Sequence, residues 1–360
     1  MTKSCHWQTL LSTGIIYALA VVLMTLPASF QFSSKLIGNN VDNWVFYWNN
    51  WWIERAIAQG RSWFECPYIF YPHEVNLVTH SHSFLNSLLA IAINPLVGPI
   101  AAYNLVLLLG LWTGAMGMFL LTREMTGQTL PALLSGFVFA FAPYHLSQAL
   151  AHPHLGSIHW WPFYVLSLRR TIQRHRVVEA LWAGLFAALT LWSGLQLAVL
   201  LALWTVLYLG WHLLLRQATL RSSGLIALAC IVALALSAPL LIPVARVPHR
   251  LAESTKFDEG TRSQTDLLAY LLPPTYHPLL GPHTVNEYER FVANRVAMPY
   301  LGCAVVGLAL VALLTRRKES TFWAVSTMIW IALAAGSVLR LNGTLYTGVP
   351  LPYRLVGQLF

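Results

Sequence analysis

Residues 38–52 read GNNVDNWVFYWNNWW and follow directly on the first apolar run of the chain. Asp42, the first acidic residue, stands there among Trp, Tyr, Phe and Asn. A flexible linker has no use for so many aromatics, and a lipid-embedded segment resists a carboxylate. Extended to NWVFYWNNWWIERAIAQG (43–60), the stretch repeats Trp44, Trp48, Trp51 and Trp52 at steps of three and four, the period of one helix face, with Gly60 as a stop. Trp and Tyr prefer the headgroup level of a bilayer. The expectation is a helix along the outer membrane surface with Asp42 at its N-cap, where a carboxylate meets free backbone N–H groups.

The composition around that helix sets the class. Of 360 residues, 57% are hydrophobic and 10% charged, whereas soluble domains carry about a quarter charged residues. Apolar runs near the ~20 residues that cross ~30 Å of hydrocarbon recur throughout. The expected fold class is all-α: a polytopic helical membrane protein, residues 1–360 as a single membrane domain. About nine transmembrane helices are placed at 9–28, 99–121, 129–148, 155–168, 178–194, 196–215, 223–245, 297–314 and 321–339. The first reads as an uncleaved signal-anchor, because its apolar core exceeds the ~7–15 residues of a signal-peptide core.

A formal net charge of +9 does not signal nucleic acid, because the basic residues sit in short clusters between apolar runs. These are Arg123; Arg169, Arg170, Arg174 and Arg176; Arg216 and Arg221; and Arg316, Arg317 and Lys318. With Lys3 and the N-terminus cytoplasmic, every cluster falls on the cytoplasmic side, as the positive-inside rule requires. The implied location is the cytoplasmic (inner) membrane. That parity needs SFLNSLLAIAINPLVG (83–98) not to cross. Asn86, Asn94, Pro95 and Gly98 suit an interfacial helix over 83–95. Two long connections, 29–98 and 246–296, then face outward and hold ten of the thirteen acidic residues. Their prolines and aromatics favour order over disorder, so the chemistry is expected there. The stretch LNGTLYTGVPLPYRLVGQLF after the ninth span reads as an outward loop, and the expectation is that the protein continues beyond it.

One span, then an acidic residue opening an aromatic surface helix (DNWVFYWNNWW), an FYP turn (IFYPHEVNL), GPIAAYNL opening the second span and FAFAPYHLSQALAHPHLGSIHWWP across the third and fourth: this order resembles the GT-C superfamily of integral membrane glycosyltransferases. The resemblance is closest to bacterial multi-pass members. It implies transfer of a sugar from a polyprenyl-phosphate-linked donor to an extracytoplasmic acceptor of the cell envelope, with membrane lipids as the other partners. It also implies that Asp42 is the catalytic base. Asn43 stands where many members have a second acid.

Asp42 is thus read both as a helix cap and as a base. At the outer end of the seventh span, Arg246 and Arg250 are candidates to clamp a phosphate with planar guanidinium donors, or to snorkel and pair with surface acids. Asp266 in TDLLAYLLPP is either a second substrate-binding carboxylate or the cap of a short helix. His73, after the FYP turn, is a candidate acceptor-site residue. His80 and His82, and His152 and His154, form two HxH pairs near His145 and His159. Such pairs occur in metal sites, yet no Cys or carboxylate spacing completes a zinc signature. They stay open as ligands of a divalent metal or as solvated or substrate-binding histidines, with His152 and His154 the candidates for substrate. Cys66 reads as a free thiol. The competing functions are a multi-pass transporter or flippase and a non-catalytic membrane protein. Against the transporter, no charged residue lies deep within a span and no inverted repeat is detectable.

Overall fold

The computed structural model describes residues 3–38, 41–215, 219–247, 265–275, 277, 279–289, 299–315 and 318–356. The chain is mostly helical, as expected. It divides into two compact units, Met1–Phe141 with His145–Val247, and Ala142–Tyr144 with Pro248–Phe360.

In the first unit α1 (Lys3–Met24) precedes α2 (Asp42–Ala58), a small antiparallel pair β1 (Glu65–Cys66) and β2 (Val75–Asn76), and α3 (Phe84–Val97). The 28-residue α4 (Pro99–Thr126) packs on α1, α3, α5 (Thr129–Phe141) and α8 (Trp161–Arg174). Its start is sharp: Gly98, at φ 85°, breaks α3 from α4, and Pro99 takes the first helical turn, where its missing N–H costs nothing. Around α4 the helices interlock through polar atoms as well as apolar ones. The Tyr17 hydroxyl donates to the Leu133 carbonyl at 2.8 Å and the Trp112 indole to the Gly14 carbonyl at 2.9 Å. Next come α6 (Pro143–Ala151), the single turn α7 (Pro153–Gly156), and α9 (Val177–Ser193), α10 (Leu195–Leu214) and α11 (Leu220–Ala245). A Thr219–Ser222 capping box starts α11.

Among the described residues, four helices are long and apolar enough to cross a membrane: Trp7–Met24, Pro99–Thr126, Leu195–Leu214 and Leu220–Ala245. The pair α5 and α6 makes a fifth if counted as one span; they meet at 46° because Pro143 disfavours helical backbone at Ala142. Four further helices are apolar but shorter: Phe84–Val97, Val177–Ser193, Cys303–Leu314 and Ser320–Ala334. The expected span 155–168 is not one helix. It takes in the end of α7, which Pro153 opens, a 3-10 turn at Ile158–Trp160 and the start of α8, with Pro162 in its first turn. At the far ends of α4 and α8, Glu124 accepts from Arg170 at 3.2 and 2.9 Å and also from Arg174. The C-terminal ends of α4 and α8 therefore lie together.

The first loop has a core of its own. Trp52, Ile53 and Ala56 of α2 close on Phe64, Cys66, Leu77, Phe84 and Leu240, and Cys66 is a buried free thiol. This corrects one expectation. Trp52 does not share the outward aromatic face: it is fully buried and its indole donates to the Trp63 carbonyl at 2.8 Å. One residue beyond Trp51 is a turn of about 100°, enough to swing it inward.

The second unit contains a 3-10 turn at Leu267–Tyr270, α12 (Gly281–Glu289), α13 (Cys303–Leu314), α14 (Lys318–Ala334), a hairpin β3 (Val338–Leu341) and β4 (Thr344–Pro350), and the single turn α15 (Tyr353–Val356). The all-α expectation is corrected at both small sheets, and the ninth span 321–339 is shortened. Its helix stops at Ala334, and 338–341 is a strand instead.

Candidate functional site

The start of α2 is held by a set of side-chain amides. Asn104, fully buried on α4, accepts from the Ile37 N–H at 2.9 Å and donates to the carbonyls of Phe32 and Lys35 at 2.6 and 2.7 Å. Asn43, also buried, donates to the Ile37 carbonyl at 2.8 Å and to Leu150, in the last turn of α6, at 2.7 Å. Gly38 completes the crossing. Its φ is 110°, and a Cβ there would stand 2.2 Å from the Leu150 oxygen and 2.6 Å from Asn43 Nδ2.

This tether brings Asp42 to His152. The Asp42 Oδ2 lies 2.8 Å from His152 Nε2, with the carboxylate about half exposed and the ring mostly covered. The N-cap expectation needs correction. The helix begins at Asp42 itself; the cap position is Val41, in helical conformation and without a side-chain cap bond. Behind the pair, Phe46 stacks on His154 with ring centroids 4.9 Å apart. Burial depresses the His154 imidazole to about 4, with His152 adding to the effect and the Asp42 carboxylate opposing it. His82 stacks on Phe84 at 4.5 Å, and burial together with the His80 ring lowers it to about 3. The His80 ring, 4.8 Å from that of His82, has its Nε2 3.1 Å from Asn49 Oδ1, while Asn49 Nδ2 donates to the Ser81 carbonyl at 3.0 Å. The two HxH pairs thus lie along the first half of α2, His152 at Asp42, His154 at Phe46 and His80 at Asn49, and each of these four rings is fixed by stacking, an amide or a carboxylate. Among the described residues, no three His, Cys, Asp or Glu side chains converge on a point where a metal ion could be held.

An open groove of 780 Å³ runs between α2, α3 and the start of α4, and neither Asp42 nor His152 lines it. Trp44, Trp48 and Trp51 form one wall, Ala90 and Ile91 the other, and Val41, next to Asp42, lines its mouth. The lining is overwhelmingly apolar, with Asn50, Glu54, His80 and Asn94 as its polar points. Glu54 was not singled out by the sequence reading, although its position three residues after Trp51 places it on the same helix face.

The remaining candidates lie elsewhere. His73 is exposed on the turn between β1 and β2, its N–H bonded to the Phe70 carbonyl at 3.1 Å. Arg246 is exposed at the C-cap of α11, and Arg250 lies outside the described residues. Asp266 is fully buried in the second unit. Its Oδ1 accepts from the N–H groups of Leu268 at 2.9 Å and Asn342 at 3.0 Å, and its Oδ2 from Gly343 at 2.7 Å. Of the two readings kept for Asp266, this is the cap, extended to a second segment; three backbone donors occupy its oxygens.

Of the expected set, then, Asp42, His152 and His154 form one constellation. No protein-family model matches the chain, and no curated protein matches it.

Proposed function

We propose that the protein is a membrane glycosyltransferase of the GT-C type, moving a sugar from a polyprenyl-phosphate carrier to an extracytoplasmic acceptor. Nine crossings, a cytoplasmic N-terminus and residence in the inner membrane belong to the same reading. The observation that supports it best is the 2.8 Å contact of the half-exposed Asp42 with His152 at the start of α2. A half-exposed carboxylate can reach an incoming hydroxyl.

The chemistry asked of the residues is modest. The acceptor O–H gives its proton to the free oxygen of Asp42 while the acceptor oxygen bonds to the anomeric carbon. The bond from that carbon to the phosphate oxygen breaks, and polyprenyl phosphate leaves with the electron pair. His152, with Nε2 against Oδ2, fixes the carboxylate in position as the proton arrives. A positioned base of this kind contributes typically about 10²–10⁴-fold.

The test uses membranes containing the full chain and a labelled polyprenyl-phosphate sugar. Asp42→Asn should lower transfer by roughly 10²-fold or more, and His152→Gln should lower it less. Equal transfer by Asp42→Asn and the unaltered protein removes Asp42 from the mechanism.

A further inference from the structure

Glu54 sits in the groove without a counterion. It is half-buried, and the Asn94 amide donates to both its oxygens, at 3.1 and 3.3 Å. Among the described residues no Lys, Arg or His nitrogen lies within 4.0 Å of it. Of the five other described carboxylates in the same unit, four are matched, Asp42 by His152, Glu74 by Arg61, Glu124 by Arg170 and Arg174, and Glu179 by Arg174, while Glu65 is exposed to solvent. In a chain whose formal charge is +9, an unmatched acid inside an apolar groove is conspicuous. Amide donors alone offset only part of the cost of withdrawing a carboxylate from water, and a cation offsets more.

The walls favour the same kind of occupant. Trp44, Trp48 and Trp51 line it, and indole rings attract ammonium groups within about 6 Å of the ring centroid. The adjacent Arg55 already exploits this outside the groove, its guanidinium carbon 5.8 Å from the Trp51 ring and 5.3 Å from Tyr68. At the mouth, Val41 and Trp44 are mostly exposed, 76% and 63%, so the groove opens through apolar surface. A free sugar would leave that surface wet, and an anionic headgroup would face Glu54. An amphiphile with a positively charged tip satisfies both ends.

We propose that this groove binds a lipid whose headgroup ends in a primary ammonium, with the ammonium on Glu54 and the indoles and the chain along the apolar walls. The carboxylate takes the N–H donors, which selects a primary ammonium over a methylated one. The site is separate from the transfer chemistry: loss of sugar transfer in Asp42→Asn leaves this binding intact, and loss of this binding leaves the role of Asp42 standing.

The test is calorimetric titration of the detergent-solubilised full chain with dihexanoyl lipids bearing ethanolamine, choline or glycerol headgroups. The expected result is at least tenfold tighter binding of the ethanolamine lipid than of either other. Glu54→Gln, which keeps an acceptor for Asn94, should reduce that preference below threefold. Glu74→Gln, an exposed acid paired with Arg61 outside the groove, should leave it unchanged and serves as the folding-matched control. Equal binding of the three lipids, no binding of the ethanolamine lipid, or a preference that survives Glu54→Gln overturns the proposal. So does displacement by a soluble hexose but not by ethanolamine.

Discussion

Changing Asn43 to Asp would set a second acid beside Asp42, and the structure opposes it. The Asn43 Nδ2 donates to two carbonyls, Ile37 at 2.8 Å and Leu150 at 2.7 Å, in a site only 2% exposed. Leu150 lies in the last turn of α6, where carbonyls lack an intrahelical donor. An aspartate has no N–H to offer and sets an anionic oxygen against both. Two lost hydrogen bonds at about 0.5–1.5 kcal/mol each, plus the burial of an unpaired charge, give a penalty of roughly 3 kcal/mol. At about 2–4 °C per kcal/mol for a unit of this size, the midpoint should fall by roughly 6–12 °C. The assay is thermal unfolding in detergent, with Asn43→Ala beside it. Alanine loses the bonds without adding charge and should be the milder change. The burial holds the introduced carboxyl above its usual range, so the penalty is full well above pH 4 and narrows as the pH falls and the group protonates. If the Asn43→Asp variant is as stable as the original at pH 7, or more stable than Asn43→Ala, the tether argument is refuted.

Two other outcomes follow from buried groups. His82 and His154 are depressed to about 3 and about 4, against about 6.5 in an unfolded chain. The unfolded state therefore takes up protons first: the contribution is intact above pH 6.5 and is lost as pH falls from there through 4 toward 3, by roughly 3 kcal/mol for His154. The thermal midpoint should drop between pH 7.5 and 4.5, and the double variant His82→Phe, His154→Gln should flatten that slope measurably; an unchanged slope contradicts the assignment. Asp266→Ala strands three backbone N–H groups and should cost about 3 kcal/mol or more. Exchange of the Asn342 and Gly343 amides should then speed up by roughly a hundredfold while those of α2 stay as they were, and unchanged exchange at the hairpin counts against the cap.

What could be read in the sequence was whatever depended on local pattern. The aromatic repeat marked α2, and Gly98 followed by Pro99 marked the junction of α3 and α4. Apolar length alone did not show where a run would break. It merged the end of α7, the 3-10 turn and the beginning of α8 into one span, although Pro162 was visible. The hairpin was also visible: Asn342-Gly343 between VLRL and TLYTGV is a two-residue turn signal, overlooked because the membrane pattern dominated the reading. The site was half legible. Asp42 stood out by composition, but its partner His152 lies 110 residues further on, and the amides that join them, Asn43 and Asn104, have no signature beyond being polar. Glu54 went unremarked for a related reason: an acid on an exposed helix is ordinary until the groove around it is known.

The hold of Asp266 on the hairpin has a consequence for synthesis. Its two tethers to the turn reach 76 and 77 positions along the chain. During translation the carboxylate is made long before its donors, and it stays hydrated until residue 343 has emerged. Closing so large a loop comes late and is slow to nucleate, so the second unit takes its final form only once the hairpin is available. A ribosome stalled short of that turn would display a first unit already assembled and a second still open.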